Sequence, residues 1–226
     1  MRLLLKLSGE LLGEKELSFE KALKLAYVLK ECKKNNEICV VIGGGNLWRG
    51  RNHQEMNLSD SDSIGMLGTC MNAICLKAAL KQIGVKSTVM SSINLKFTED
   101  YQTDKALELI KDEILILAGG LGVPCISTDT ASAIRASELK VDYILKGTNV
   151  DGVYSSDPKT NPNAVKYDRL SYREALEKHL NVMDMSAFEI CNKNNIKLRV
   201  YNANDLNNII KICNGDAIGT IVEQYE

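Results

Sequence analysis

Apolar residues along the chain fall into short runs and helical stripes that alternate from one end to the other. Residues 2–7 alternate and then run apolar, stopping at Ser8-Gly9, which predicts a strand entering a turn. Phe19, Ala22, Leu23, Ala26 and Leu29 then recur at helical spacing behind Ser18, a residue suited to an N-cap. Residues 38–42 form a short, β-branched apolar run stopped by Gly43-Gly44-Gly45, the pattern of a buried strand. Over residues 61–83, Ile64, Leu67, Met71, Ile74 and Ala78 mark the main apolar face of a long helix. Met66, Cys70 and Cys75 spread its apolar character beyond that face, as in a helix buried in a large core or shared between subunits. Residues 85–90 read as a strand and 104–111 as a short helix.

Ile114-Leu115-Ile116-Leu117-Ala118 is the strongest strand signal and is followed by Gly119, Gly120 and Gly122. A helix is expected over 129–139 and a strand over 141–146, closed by Gly147. Residues 147–170 hold turn formers and two of the three prolines, which predicts a long functional loop or a hairpin insertion. Helices over 171–180 and 186–195, a strand over 197–201, a helix over 204–212 and a last strand over 219–222 complete the pattern. Such alternation predicts an α/β fold of βαβ units, a three-layer αβα sandwich around a largely parallel sheet. No repeat or compositional break marks a linker, so residues 1–226 are expected to form a single domain. In sheets of this kind ligands bind beyond the carboxyl ends of the strands. Glycines stand at those ends after the first, second and fourth main strands and again at Gly147. Several at one edge point to a ligand needing close backbone approach, and phosphates are the usual reason, because bare N–H groups form anion-binding nests.

Composition narrows the classes. The chain has 226 residues, 45% hydrophobic and 25% charged, which excludes disorder, collagen-like repeats and low complexity. Lys and Arg total 28 against 29 Asp and Glu, and 5% of residues are aromatic, so neither the basic excess nor the stacking platforms of a nucleic-acid binder are present. No segment approaches the ~20 apolar residues needed to span a bilayer, so no membrane is expected as a partner. The apolar start is broken by Lys6 and then by Ser8-Gly9-Glu10, too soon for a signal peptide. Seven cysteines without a CxxC pair suit a reducing, cytoplasmic setting, and two histidines leave little for a Cys/His zinc site.

Two nucleotide motifs are ruled out. There is no G-x-x-x-x-G-K-[ST], and Gly43-Gly44-Gly45-Asn46-Leu47-Trp48 lacks the third glycine of G-x-G-x-x-G. What remains is a set of charges at strand ends: Lys6, Arg49, Asp62, Asp129, Lys146 and Asp157. A lysine such as Lys6, inside an apolar strand, ordinarily snorkels to water. Arg51 and Arg135 read as surface or interface charges.

Together with the glycine loops, the charges match a known family. Lys6-Leu7-Ser8-Gly9-Glu10, Val41-Ile42-Gly43-Gly44-Gly45-Asn46-Leu47-Trp48-Arg49-Gly50, Ser127-Thr128-Asp129 and Lys146-Gly147-Thr148-Asn149-Val150-Asp151-Gly152-Val153-Tyr154, with Asp157-Pro158, resemble the amino-acid-kinase superfamily. Within it, Asn46-Leu47-Trp48-Arg49-Gly50, Asp62 before Gly65-Met66-Leu67, and Val182-Met183-Asp184-Met185-Ser186-Ala187-Phe188, are similar to the bacterial UMP (uridylate) kinase branch. The resemblance implies transfer of the ATP γ-phosphoryl to UMP in pyrimidine nucleotide biosynthesis. It also implies Mg²⁺ carried mainly by the ATP phosphates, no dedicated protein metal site, and a homohexamer built from dimers. UMP would lie mainly on the N-terminal part and ATP mainly on the C-terminal part. Lys6, Arg49, Asp129 and Lys146 would be catalytic, with Asp129 holding Lys6. Lys6, Leu7, Ser8, Gly9, Gly45, Arg49, Thr148, Asn149, Tyr154 and Asp157 would bind ATP. Gly44, Asp62 and the loop Leu121, Gly122, Val123, Pro124, Cys125, Ile126, Ser127 and Thr128 would bind UMP.

Each assignment has a plainer counterpart. Asp62 and Asp129 would serve as helix N-caps. Tyr154 would cover the core, Asp157 would shape the turn before Pro158, and Lys146 would merely end its strand. Family members usually have Thr and Asn where this chain has Leu121 and Val123, so those side-chain contacts to UMP are missing. The nearest rivals are a kinase of the same superfold acting on acetylglutamate or carbamate, and a non-catalytic nucleotide sensor, which would be expected to lack Lys6 or Asp129.

Overall fold

Leu3, Leu5 and Leu7 of the first strand point to one face of a sheet and Leu4 to the other, and all four are fully buried. That strand is β1 (Arg2–Leu7), and the others are β2 (Glu37–Ile42), β3 (Ser87–Ser91), β4 (Glu99–Asp100), β5 (Ile114–Ala118), β6 (Tyr143–Thr148), β7 (Val153–Tyr154), β8 (Lys166–Tyr167), β9 (Arg169–Ser171), β10 (Lys197–Asn202) and β11 (Thr220–Glu223). The computed structural model describes residues 1–180 and 182–224, the Arg51 side chain excepted, so the expectation for Arg51 lies outside the described residues. Nine strands form one sheet in the order β4-β3-β5-β2-β1-β6-β10-β11-β9. Pairing is parallel except between β10 and β11, and β9 runs with β11.

Helices α1 (Phe19–Lys33), α2 (Leu58–Gln82) and α7 (Asn207–Cys213) bury their apolar sides on one face. On the other face lie α3 (Thr103–Leu109), α4 (Thr128–Glu138), α5 (Tyr172–Glu177) and α6 (Met185–Lys193). The expected three-layer sandwich is the observed one. Ser18 caps α1 by accepting from the Lys21 N–H, as its sequence position implied. Residues 147–170 contain the antiparallel β7–β8 hairpin, so the insertion reading is the correct one. The two-residue edge strand β4 carries no apolar alternation and was not legible in the sequence.

Helix α2 departs from expectation in three ways. It begins at Leu58, capped by Asn57, which accepts from the Asp60 N–H. Its core face is Cys70, Ala73, Leu76 and Leu80, whereas Leu67 (48% exposed), Met71 (51%) and Ile74 (36%) look outward. Small residues allow the close approach: the Gly68 Cα hydrogens point at the Gly44 backbone, where an added Cβ would lie 3.4 Å from the Gly44 carbonyl oxygen. Asn72 can be buried because its amide donates to the Gly43 carbonyl (2.8 Å) and exchanges bonds with Asn46. Finally, α2 is apolar and long enough to cross a membrane by length and composition, contrary to the absence of any such segment expected from sequence. Its buried face belongs to the core that α1 and the sheet share.

Candidate active site

Lys6 on β1 and Lys146 on β6 are register partners on neighbouring parallel strands. They share a side with Leu4 and Ile144, so both ammonium groups rise on the face covered by α4. Asp129, in the first turn of α4, receives them: Lys6 Nζ lies 2.7 Å from Oδ1, and Lys146 Nζ donates to Oδ2. Burial alone would raise the Asp129 pKa, but the Lys6 and Lys146 charges outweigh it and hold the carboxyl below the usual carboxylate range. Burial likewise pushes Lys146 below the usual lysine value, with Asp129 opposing and Lys6 reinforcing the shift.

Asp129 is not the helix cap. Ser127 caps α4, its hydroxyl accepting from the N–H groups of Asp129 and Thr130, which frees the Asp129 side chain for the lysines. The start of α4 is fastened in turn by Asp184, the N-cap of α6. Its carboxylate accepts from the Ser127 and Thr130 (2.7 Å) hydroxyls and the Ala187 N–H (2.9 Å). Asp184 falls within the motif of residues 182–188, but the apolar pattern places the helix start at residue 186 and so leaves Asp184 without a visible role in the sequence. The capping pattern Asp184-Met185-Ser186-Ala187 was the available signal.

A cavity of about 250 Å³ is lined among others by Gly44, Gly45, Asp62, Val123, Ile126 and Thr128, the last next to Asp129 in the chain. Gly44 is required there, since a Cβ would come within 2.6 Å of the Gly65 carbonyl oxygen of α2, whereas Gly45 has only the Arg49 side chain near it. Asp62 lies inside α2, a turn beyond the Asn57 cap, so the N-cap reading is corrected. Its Oδ2 accepts from the Cys125 N–H at 2.7 Å and so holds the 119–127 loop. Of the loop residues singled out from sequence, Val123, Ile126, Ser127 and Thr128 line the cavity, and Leu121, Gly122, Pro124 and Cys125 do not. Gly119, Gly120 and Gly122 have φ of +73°, +56° and +77°, values that suit glycine and let the chain reverse sharply after β5.

Two further cavities flank the end of β6. One of about 830 Å³ has Ser8, Arg49, Thr148 and Asn149 on its walls, and one of about 390 Å³ has Thr148, Tyr154 and Asp157. Thr148 thus borders both. Thr128, the chain neighbour of Asp129, lines the smaller cavity, and Gly147, the neighbour of Lys146, lines the 830 Å³ one; Lys6, Asp129 and Lys146 themselves line neither. Gly9 is required by packing: a Cβ there would meet Asn46 Oδ1 at 2.1 Å. Leu7 offers no side chain to these spaces, because it is buried in the core and its carbonyl accepts from the Gly43 N–H at 3.0 Å. Arg49 is ion-paired with Glu10, a partner that sequence reasoning missed. The Tyr154 hydroxyl donates to Asp151 at 2.6 Å, and Asp157 Oδ1 accepts from the Lys159 N–H at 2.9 Å, so Asp157 also shapes its turn. Among the described residues no group of three metal-ligating side chains comes together.

Arg135, read from sequence as a surface or interface charge, is not at the surface: it is 8% exposed, with its guanidinium carbon 3.4 Å from the centre of the Tyr101 ring. A charge on the inner face of α4 carries no sequence mark that distinguishes it from one on the outer face.

Comparison with known proteins gives a consistent result. The amino acid kinase family profile matches residues 1–202. A uridylate kinase of Limosilactobacillus reuteri is 44% identical over 232 residues, covering 98% of this chain and 96% of that protein. The crystal structure of UMP kinase from Ureaplasma parvum superposes with a TM-score of 0.93 at 36% identity, over 99% of both chains. UMP kinase from Bacillus anthracis also gives 0.93, at 32% identity, over 98% of this chain and 95% of that one.

Proposed function

The chain belongs to the amino acid kinase family, and from that premise we propose that it is a nucleoside monophosphate kinase converting ATP and UMP to ADP and UDP. The observation that carries this reading is the Lys6–Asp129–Lys146 triad, whose chain neighbours Thr128 and Gly147 border a small glycine-walled cavity and a larger space at the end of β6.

A UMP phosphate oxygen attacks the γ-phosphorus, a P–O bond forms to it, the bond to the β-phosphate oxygen breaks, and ADP leaves. The attacking oxygen is already ionised near neutral pH, so no strong general base is needed, and positioning with charge neutralisation supplies the catalysis. UMP occupies the cavity of Gly44, Asp62, Val123 and Thr128, and ATP the spaces of Ser8, Thr148, Tyr154 and Asp157. Lys6 lies between them and bridges donor and acceptor oxygens, while Lys146 neutralises the migrating phosphoryl. Asp129 keeps two like charges side by side in the absence of nucleotide. Arg49 exchanges Glu10 for phosphate, to which its planar fork gives bidentate contacts. A divalent ion, Mg²⁺ on this reading, would arrive with ATP rather than sit on a protein site, and would supply charge neutralisation of the phosphates. Both oxygens of Asp129 being engaged by lysines supports that reading.

Residues 1–226 act as one catalytic domain, with UMP mainly on the N-terminal part and ATP mainly on the C-terminal part. The exposed Leu67, Met71 and Ile74 stripe supports a dimer through α2 that builds into a hexamer. The cytoplasm is its compartment, in keeping with the cysteine usage. UMP-dependent release of ADP from ATP tests the activity. Turnover with acetylglutamate and none with UMP would overturn it.

A further inference from the structure

Three glycines with positive φ make the 119–127 loop costly to order, so what holds it matters. The Gly119 N–H donates to Thr69 Oγ1 at 2.8 Å and the Cys125 N–H to Asp62, which tie the loop to α2. A third tether comes from the opposite side. Ser92, just past β3, donates its hydroxyl to the Gly120 carbonyl at 2.8 Å, and Gly122 is pressed so closely on Ser92 that a Cβ would lie 2.5 Å from its carbonyl oxygen. The Ser92 oxygen is itself the acceptor of a charged donor, Arg135 Nη2, at 2.8 Å.

Arg135 is fixed on every side. Its Nη1 donates to Glu138 at 2.6 Å, Glu138 also accepts from the Tyr101 hydroxyl at 2.8 Å, and the guanidinium stacks on the Tyr101 ring. Burial and the Glu138 contact push the Tyr101 hydroxyl up to about 12, so it remains a donor at neutral pH. Arg135 belongs to α4, the helix whose first turn carries Asp129. The hydrogen bonds Arg135→Ser92→Gly120 therefore link the helix that sets the catalytic carboxylate to a loop wall of the small cavity.

We infer that Arg135 and Ser92 are positioning residues for the acceptor nucleotide: they fix the Gly120 carbonyl, and with it the 119–127 loop, relative to α4. This rests on the assignment of the small cavity to UMP. A merely structural arginine would fasten α4 to β3 without favouring one substrate.

Ser92→Ala removes the middle hydroxyl and leaves the Arg135–Glu138–Tyr101 contacts in place. Loss of one such bond corresponds to about a 3- to 10-fold rise in KM for UMP, with KM for ATP and kcat within about twofold. Amide exchange at Gly120, Gly122 and Cys125 should quicken, while that of β5 stays unchanged. Arg135→Lys, which keeps the charge but cannot span Glu138 and Ser92 together, should raise the same KM. The double variant should be no worse than the more affected single one. Equal changes in both KM values, no change in either, or unaltered loop exchange in Ser92→Ala would overturn the inference. If the wild-type protein failed to turn over UMP, the functional assignment would fall, and the exchange measurement would still decide whether the relay holds the loop.

Discussion

Lys6 and Lys146 face each other in register across adjacent parallel strands, and the single carboxylate of Asp129 joins their ammonium groups. Neighbouring strands lie roughly 4.8 Å apart, so the sheet itself sets the spacing of the two cations. Two like charges at that distance need an anion between them, and Asp129 supplies it.

Lys6→Ala should lower kcat by about 10³ or more, since a contact to transition-state charge is worth several kcal/mol. The melting temperature should change little, because Asp129 keeps Lys146 as a partner. Near-normal turnover in a folded Lys6→Ala protein would make Lys6 an ordinary strand-end charge.

Lys146 loses its proton below the ordinary lysine value of about 10.4, because its burial disfavours the charged form. The alkaline fall of kcat/KM should therefore begin below that pH, and Lys146→Arg should move it upward. Asp129 gives the opposite limb. Its folded pKa is depressed, so its contribution to stability is complete above the unfolded value near 3.9 and is lost as pH falls through the folded one. Acid titration of Asp129→Asn should lack that loss, and an unchanged acid limb would show that the triad does not stabilise the fold.

Asp62→Asn keeps an oxygen for the Cys125 N–H and removes only the charge. If the carboxylate also accepts from the ribose hydroxyls, kcat/KM for UMP should fall about 10- to 150-fold, with the ATP parameter far less affected. The preference for UMP over its 2′-deoxy analogue should narrow. Unchanged UMP kinetics would confine Asp62 to holding the loop.

Gly44→Ala places a Cβ 2.6 Å from the Gly65 carbonyl oxygen, and neither backbone can give way cheaply. Overpacking of this kind costs about 1–3 kcal/mol, or about 3–10 °C in Tm for a chain of this size. Gly45→Ala, with its nearest neighbour an Arg49 side-chain carbon at 3.8 Å, should leave Tm within about 1 °C. Scanning calorimetry of the two variants separates packing from phosphate approach as the reason for adjacent glycines.

Leu67→Glu with Met71→Glu should leave the monomer folded, because both side chains point away from the core. Light scattering should show the wild-type assembly reduced toward the mass of one chain. A wild-type protein that is monomeric at micromolar concentration would rule out the α2 interface.

Much of the chain declares itself locally. Periods of two and 3.6, the glycines that end strands and the Ser18 cap are short-range signals, and they determine the order of elements and the α/β class. The charges that the structure brings together were also visible one by one, since a lysine inside an apolar strand and an aspartate beside a helix start are conspicuous. Partnership was not visible. The pairing of Lys6 with Lys146 depends on β1 lying beside β6, a non-local fact of sheet order. Choosing which apolar stripe of α2 turns inward depended on the flat approach that Gly68 and Gly44 permit, so the larger Leu67–Met71–Ile74 side was left outside. Arg135 reads as a surface charge until Tyr101, Glu138 and Ser92, brought from distant parts of the chain, supply a ring face and two acceptors. The sequence determined which groups are available and where along the chain they emerge. Only tertiary packing decided which of them meet, because burial of a charge is tolerated only where its partners arrive with it.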